Sequence, residues 1–237
     1  MPDAASDAMP IVLVPGLGCS ARLYAEQIPA LWRCGPVTVA DHTRGDSIAE
    51  IATRILAAAP PRFALAGLSM GGYIAFEIMR QAPQRVAKLA LLDTGARAET
   101  AEQTERRKAP MELARNGRLA EVADAAFEFF VHPDRYGDVA LKALVKTMAE
   151  ENGAEVYLRQ QRAIMGRAES RPSLPAIACP TLVLVGEQDR GTPVELSREI
   201  AAAIRSSRLV IVPACGHLST LERPAAVTKA LVEWMQA

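Results

Sequence analysis

No stretch of the chain approaches the ~20 consecutive apolar residues that a membrane-spanning helix requires, so no membrane association is expected. Residues Met1 to Met9 carry neither a basic segment nor an apolar one, which argues against a signal peptide. The chain has no net charge and no basic stripe, which argues against nucleic acid as a partner. Cysteine is sparse: Cys19, Cys34, Cys179 and Cys215 are scattered, with no Cys-x-x-Cys spacing. They read as free thiols in a reducing cytoplasm, not as a disulfide frame or a zinc site. The three histidines, His42, His132 and His217, lie far apart and form no His-x-x-x-His pair, so no metal is expected.

What the chain does have is apolar material, 50% of its 237 residues, enough for one large domain or one domain carrying an insertion. Short apolar runs, Ile11–Val14, Val37–Ala40, Phe63–Ala66 and Lys88–Leu92, alternate with helix-like segments. Ser47 followed by Glu50 reads as a capping box at the start of one of these helices, and Pro60-Pro61 stops it. Leu23 to Leu31 reads as another helix. Strands that are apolar throughout, alternating with helices, predict a parallel sheet covered on both faces. From about Arg97 to Arg171 no strand pattern appears. Helical spacing runs over 99–116, 119–131, 138–151 and 155–166, broken at Gly117, His132-Pro133 and Gly153. Strands then resume at Thr181–Val185 and Arg208–Val212, with helices over 193–204 and 224–235. The expected organisation is therefore a core of residues 1–96 and 172–237, about six parallel strands, with a helical cap of residues 97–171 inserted after the fourth strand.

The segment Gly67-Leu68-Ser69-Met70-Gly71-Gly72 follows the third strand and opens a helix. Strand, Gly-x-Ser-x-Gly, helix is the nucleophile elbow, a sharp turn that lifts a serine hydroxyl above the sheet edge. A serine hydroxyl is a weak nucleophile, so it needs a base, and the base needs an orienting carboxylate. The chain order after an elbow is Ser, then acid, then His. His217, in Ala214-Cys215-Gly216-His217 past the last strand, lies at the same sheet edge as Ser69; His132 sits before a proline and reads as a helix-end or surface residue. Asp189, past the fifth strand, is the expected acid, with Glu187 and Asp93 as rivals. Two oxyanion donors are needed. The Met70 backbone N–H follows the nucleophile, and the Leu17 N–H, between two glycines after the first strand, is the expected second donor.

These pieces, Val14-Pro15-Gly16-Leu17-Gly18, the Ser69 elbow, Gly186-Glu187-Gln188-Asp189 and Gly216-His217, resemble the α/β-hydrolase fold over nearly the whole chain. The resemblance is closest to the small carboxylesterase branch with a helical cap, which includes pimeloyl-carrier-protein methyl esterase-like proteins. It implies a Ser69–His217–Asp189 triad, a Leu17/Met70 oxyanion hole and no cofactor. The chain departs from that pattern in having Pro15 where a histidine is usual, a different loop over Asp41–Asp46, and too little sequence before Ile11 for the usual hairpin.

The function expected is hydrolysis of a small-molecule carboxylic ester with an apolar part. Thioesterase, lactonase and carbon–carbon bond hydrolase chemistry would use the same triad. A small-molecule receptor on a hydrolase scaffold is the non-catalytic alternative. Gly16-Leu17-Gly18-Cys19-Ser20-Ala21 also fits a dinucleotide fingerprint, but the next helix begins near Leu23 and not at the glycines. Tyr24, Phe127, Phe130 and Ile164 are the candidate substrate-pocket residues. The sequence leaves the oligomeric state open.

Overall fold

The computed structural model describes residues 8–237; residues 1–7, most of the segment read for a leader, lie outside them. Six strands, β1 (Ile11–Val14), β2 (Val37–Val39), β3 (Phe63–Leu68), β4 (Val86–Leu92), β5 (Thr181–Gly186) and β6 (Ser207–Val212), form one sheet in the order β2-β1-β3-β4-β5-β6. Every pairing is parallel. Helices α1 (Ile28–Leu31), α2 (Ile48–Ala58) and α3 (Met70–Gln81) fall between the early strands. Then come α4 (Ala101–Arg115), α5 (Leu119–Phe130) and α6 (Val139–Met165) between β4 and β5. Helices α7 (Val194–Ala203), α8 (Ser219–Glu222) and α9 (Pro224–Gln236) complete the chain.

Strands β1, β3 and β5 are buried at every position because both faces of the sheet are covered. Val12, Val14, Leu65, Leu89, Leu91 and Val183 pack with Ile51, Ile55, Ile74, Ile78 and Ile200 from α2, α3 and α7. Their neighbours in sequence, Ile11, Leu13, Ala64, Ala66, Ala90 and Leu184, point the other way onto Leu23, Leu31, Val227, Leu231 and Trp234. Period-2 alternation with apolar residues on both sides is what a parallel sheet between helix layers demands. Each large aliphatic side chain so buried contributes roughly 1.5–3 kcal/mol.

Local chemistry departs from the sequence pattern in a few places. The span read as one helix from Leu23 to Leu31 divides into a 3₁₀ turn (Ala21–Tyr24) and the short α1, because Pro29 lacks the N–H that would continue a longer ladder. The Ser47 hydroxyl accepts the Glu50 N–H at 3.1 Å, but Glu50 returns to the N–H of Asp46 rather than that of Ser47. At Gly153, by contrast, the break read from the sequence is present: its φ 77, ψ 169 is non-helical and divides α6 into two helical halves. Pro193 is the N-cap of α7, one position outside the helix, whereas Pro224 does occupy the first turn of α9.

Candidate active site

The site is assembled from four loops at the carboxyl edge of the sheet. β3 ends at Leu68, and Ser69 takes φ 55, ψ −113 before α3 begins. A left-handed serine costs about 1–3 kcal/mol and persists only where its surroundings impose it. The surroundings here are close. A Cβ on Gly67 would overlap the Gly71 carbonyl, and one on Gly71 would overlap the Val14 carbonyl. The Ser69 N–H donates to the Leu92 carbonyl at 2.9 Å, and the Thr94 hydroxyl donates to the Ser69 carbonyl at 2.8 Å. The elbow is thus fastened to the end of β4, with the N-terminus of α3 directed at any charge formed beside Ser69.

Ser69 Oγ lies 2.8 Å from His217 Nε2, and His217 Nδ1 lies 2.8 Å from Asp189 Oδ2. The acid is itself held: Oδ1 accepts the N–H groups of Gly191 (2.7 Å) and Thr192 (2.9 Å), and Oδ2 accepts the Thr192 hydroxyl (2.7 Å). Burial raises the Asp189 carboxyl, but the His217 charge and hydrogen bond outweigh it and hold the acid below its ordinary range. For His217 burial acts downward, and the facing Asp189 carboxylate outweighs that too, so the imidazole stands above its ordinary value. Neither rival acid hydrogen-bonds the imidazole. Glu187 is exposed and its carboxylate accepts the Gln188 amide, whereas buried Asp93 bonds the Gly186 N–H and the Ser219 hydroxyl.

The loop after β1 runs beside the nucleophile, where a Cβ on Gly16 would stand 3.5 Å from that of Ser69. Among the described residues, the backbone N–H groups of Leu17 and Met70 donate to no other group. The loop is fixed around them. His42 Nε2–H donates to the Gly16 carbonyl at 3.0 Å, and the Gly18 N–H donates to Gln160 Oε1 on α6 at 2.9 Å. No helix starts at these glycines; a single 3₁₀ turn follows, so the dinucleotide pattern lacks the helix end that would face a pyrophosphate.

Of the pocket candidates, Phe130 reaches the site: its ring stacks on the His217 imidazole, centroids 4.7 Å apart and planes 29° apart. The other three are buried in the core. Tyr24 is 0% exposed, and its hydroxyl donates to the Val14 carbonyl at 3.0 Å. Phe127, also 0% exposed, packs with the β-sheet side chains, and Ile164, 2% exposed, joins the opposite core layer. In this structure these three side chains pack helices against the core. Gln160, Glu222, His42, Thr94 and Thr192 have structural ties to the site that the sequence motifs do not reveal. His132 caps the 3₁₀ turn Pro133–Arg135, accepting the Asp134 N–H at 3.2 Å. Among the described residues no group of three His, Cys, Asp or Glu side chains is arranged to hold a metal, and no helix is long and apolar enough to cross a membrane.

Residues 11–230 match the model of the alpha/beta hydrolase family. The chain belongs to the alpha/beta hydrolase family. A relative named putative non-heme bromoperoxidase BpoC, from Mycobacterium tuberculosis, is 30% identical over 95% of this hydrolase and 93% of its own length. Among solved structures, a thermophilic esterase from Thermogutta terrifontis, malate bound, superposes with a TM-score of 0.87 at 28% identity, covering 96% of this chain and 89% of that one. An enol-lactonase from Burkholderia xenovorans LB400 gives 0.87 at 26% identity, covering 99% and 94%.

Proposed function

We propose that this hydrolase is a serine carboxylesterase with Ser69, His217 and Asp189 as its triad. The observation that carries the reading is the continuous chain Ser69 Oγ–His217 Nε2 at 2.8 Å and His217 Nδ1–Asp189 Oδ2 at 2.8 Å. His217 Nε2 takes the hydroxyl proton as Oγ attacks the ester carbonyl. The oxyanion is stabilised by the free N–H groups of Leu17 and Met70. Collapse returns the proton from Nε2 to the departing alcohol and leaves an acyl group on Ser69. Water, deprotonated by His217, then releases the acid and restores the serine. Asp189 keeps the imidazole in the tautomer that accepts at Nε2 and stabilises its cation. Nucleophile, base and oxyanion donors all come from the chain, so the chemistry needs no cofactor.

Residues 97–171 act as the cap over this site, with Phe130 against the base, and the substrate is a small-molecule ester with an apolar part. The esterase and lactonase likenesses support ester chemistry, and a lactone is a cyclic ester open to the same attack. The four unpaired cysteines fit a reducing compartment, and the cytoplasm is the proposed location.

The test is steady-state hydrolysis of p-nitrophenyl esters of rising acyl length, with an aliphatic lactone alongside. Turnover should fall by several orders of magnitude in Ser69→Ala. Near-normal turnover in that variant would sink the assignment, and a folded protein inert on every ester would favour the receptor reading.

A further inference from the structure

The base is carried on a loop, Gly216-His217-Leu218, between β6 and α8, and something must fix it. Glu222 on α8 is 2% exposed and, among the described residues, pairs with no lysine or arginine. A carboxylate buried without a cation is unfavourable unless hydrogen bonds replace its water. Those bonds come from three backbone N–H groups. Gly216 donates to both oxygens at 3.1 Å, Leu218 to Oε1 at 3.1 Å and His132 to Oε2 at 2.7 Å. Gly216 and Leu218 are the residues on either side of the base. His132 lies two residues beyond Phe130, whose ring stacks on the imidazole and whose carbonyl accepts the His217 N–H at 2.6 Å. The contact leaves no slack: a Cβ on Gly216 would overlap the Phe130 carbonyl and stand 2.7 Å from the His132 nitrogen.

We propose that Glu222 is a positioning residue for His217, clamping the two residues that flank the base and the turn that ends α5 into one unit, so that the imidazole is held between Ser69 and Asp189. It touches neither substrate nor reacting atoms. The proposal rests on the serine-esterase reading given above. Capping of α8 alone would need only the Leu218 bond; the Gly216 and His132 bonds reach beyond that helix.

Glu222 is also one of the carboxyl groups around His217. The others are Asp189 from the loop after β5 and Asp93 from the end of β4. Cys215 adjoins on the same loop, Arg223 donates to the Ala214 carbonyl at 2.8 Å, and the α5 side presents the Phe130 ring and the His132 N–H. Removing the Glu222 charge therefore lowers the imidazole pKa.

The experiment compares the full chain with Glu222→Gln and Glu222→Asp. In E222Q one acceptor oxygen becomes an NH₂ group that confronts the donors. The expected result is a kcat about 10- to 100-fold lower, the size of effect a displaced catalytic group produces, with KM within about twofold. The acid limb of kcat/KM should move to lower pH. The low-field proton resonance of the His217 Nδ1–Asp189 hydrogen bond, read at acidic pH without substrate, should broaden or vanish. E222D keeps the charge, so its acid limb should stay at the wild-type pH while kcat is reduced by the shorter reach. A folded E222Q with wild-type kcat, acid limb and resonance overturns the proposal. So does a loss of activity that disappears on assay at lower temperature with the acid limb unmoved, the mark of a purely structural role. Should E222Q not fold, E222D with wild-type kcat and resonance overturns it. Failure of the esterase reading is seen separately, as turnover that survives Ser69→Ala or is absent in the wild type, and the resonance test stands in either case.

Discussion

Three non-glycine residues among those described stand at positive φ, Ser69 (55°), Asp93 (44°) and Ala214 (49°), and all three follow strands at the carboxyl edge of the sheet, in or beside the candidate site. Strain of this kind collects where geometry is imposed for a purpose. For Asp93 the purpose is visible: its wholly buried carboxyl takes the Gly186 N–H at 2.9 Å and the Ser219 hydroxyl, tying the strand that leads to Asp189 to the helix that follows His217. Burial, and then the nearby Asp189 charge, push the Asp93 carboxyl well above its ordinary 3.8. A group whose folded pKa is raised gives stability that is full below its unfolded value and lost as pH rises toward the folded one. Asp93→Asn keeps the shape, an acceptor for Gly186 and a partner for Ser219, tolerates positive φ and cannot ionise. Its stability relative to the wild type should therefore increase with pH above 4, by up to ~1.4 kcal/mol per pH unit, in chemical denaturation. A difference that is flat from pH 4 to 8 would refute the raised carboxyl. Asp93→Ala, by contrast, leaves two buried donors unpaired and should cost about 1–3 kcal/mol. His217 gives a second pH prediction. Burial acts downward on it, but the Asp189 charge raises it above 6.5, and it must be neutral to act as base. In the rate profile kcat/KM should rise with pH to a half-point above 6.5. A half-point below that value would mean that Asp189 does not face the base in solution.

At the scale of elements, β1, β3 and α3 share one contact that the glycines make possible. Gly71→Ala would drive a methyl into the Val14 carbonyl, lifting α3 from the strand that leads into the Leu17 loop. Thermal unfolding should show a loss of roughly 1–3 kcal/mol, and the ester assay a lower kcat with little change in KM, because the Met70 N–H moves with the helix. Unchanged stability and kcat would show that the elbow has more room than the backbone allows. The same glycines explain why this region was legible in the sequence: a side chain that cannot be accommodated leaves a mark at a fixed spacing. The strands were legible for a related reason, since Ile11–Val14 or Thr181–Gly186 is apolar on both faces and only a sandwiched sheet buries both. The helical segment was legible as helix but not in its facing. Periodicity cannot tell a side chain directed at a pocket from one directed at the core, so Phe127 and Ile164 read like Phe130. Tyr24 is a different case, because it lies in the 3₁₀ turn before α1 and its hydroxyl is tied to the end of β1. Glu222 left no pattern at all, for its partners are main-chain N–H groups, one of them 90 residues away.

Across the whole molecule, the segment between β4 and β5 is joined to both halves of the candidate catalytic apparatus. Gln160 on α6 holds the Gly18 N–H, and the turn after α5 holds the His217 loop. Gln160→Ala frees the loop that carries the Leu17 N–H and should lower kcat by ~10-fold with folding intact, measured on the best p-nitrophenyl ester; full activity would mean that the loop keeps its shape unaided. The third join is electrostatic. Glu99, its side chain 1% exposed, is paired with Arg107 of α4 and with Arg167 beyond α6, whose side chain is 6% exposed. Arg107 Nη1 continues to Gln161 at 2.8 Å, the Gln161 amide to the Tyr157 hydroxyl at 2.6 Å, and Arg167 Nε to the Arg97 carbonyl at 2.9 Å. One carboxylate thus bridges two guanidinium groups where the helical segment leaves and re-enters the sheet domain. Glu99→Gln leaves both cations without a paired carboxylate in a poorly hydrated place, a loss of about 3–5 kcal/mol. In a chain of this length that is a fall in Tm of roughly 10 °C. Replacing all three residues, Glu99→Gln with Arg107→Met and Arg167→Met, removes the uncompensated charge with the pair. It should recover most of the loss, because the cost lies in burying unpaired cations and not in lacking the bridge. A calorimetric Tm for E99Q within a degree or two of the wild type would show that the cluster is solvated and that the helical segment is held by its apolar contacts alone.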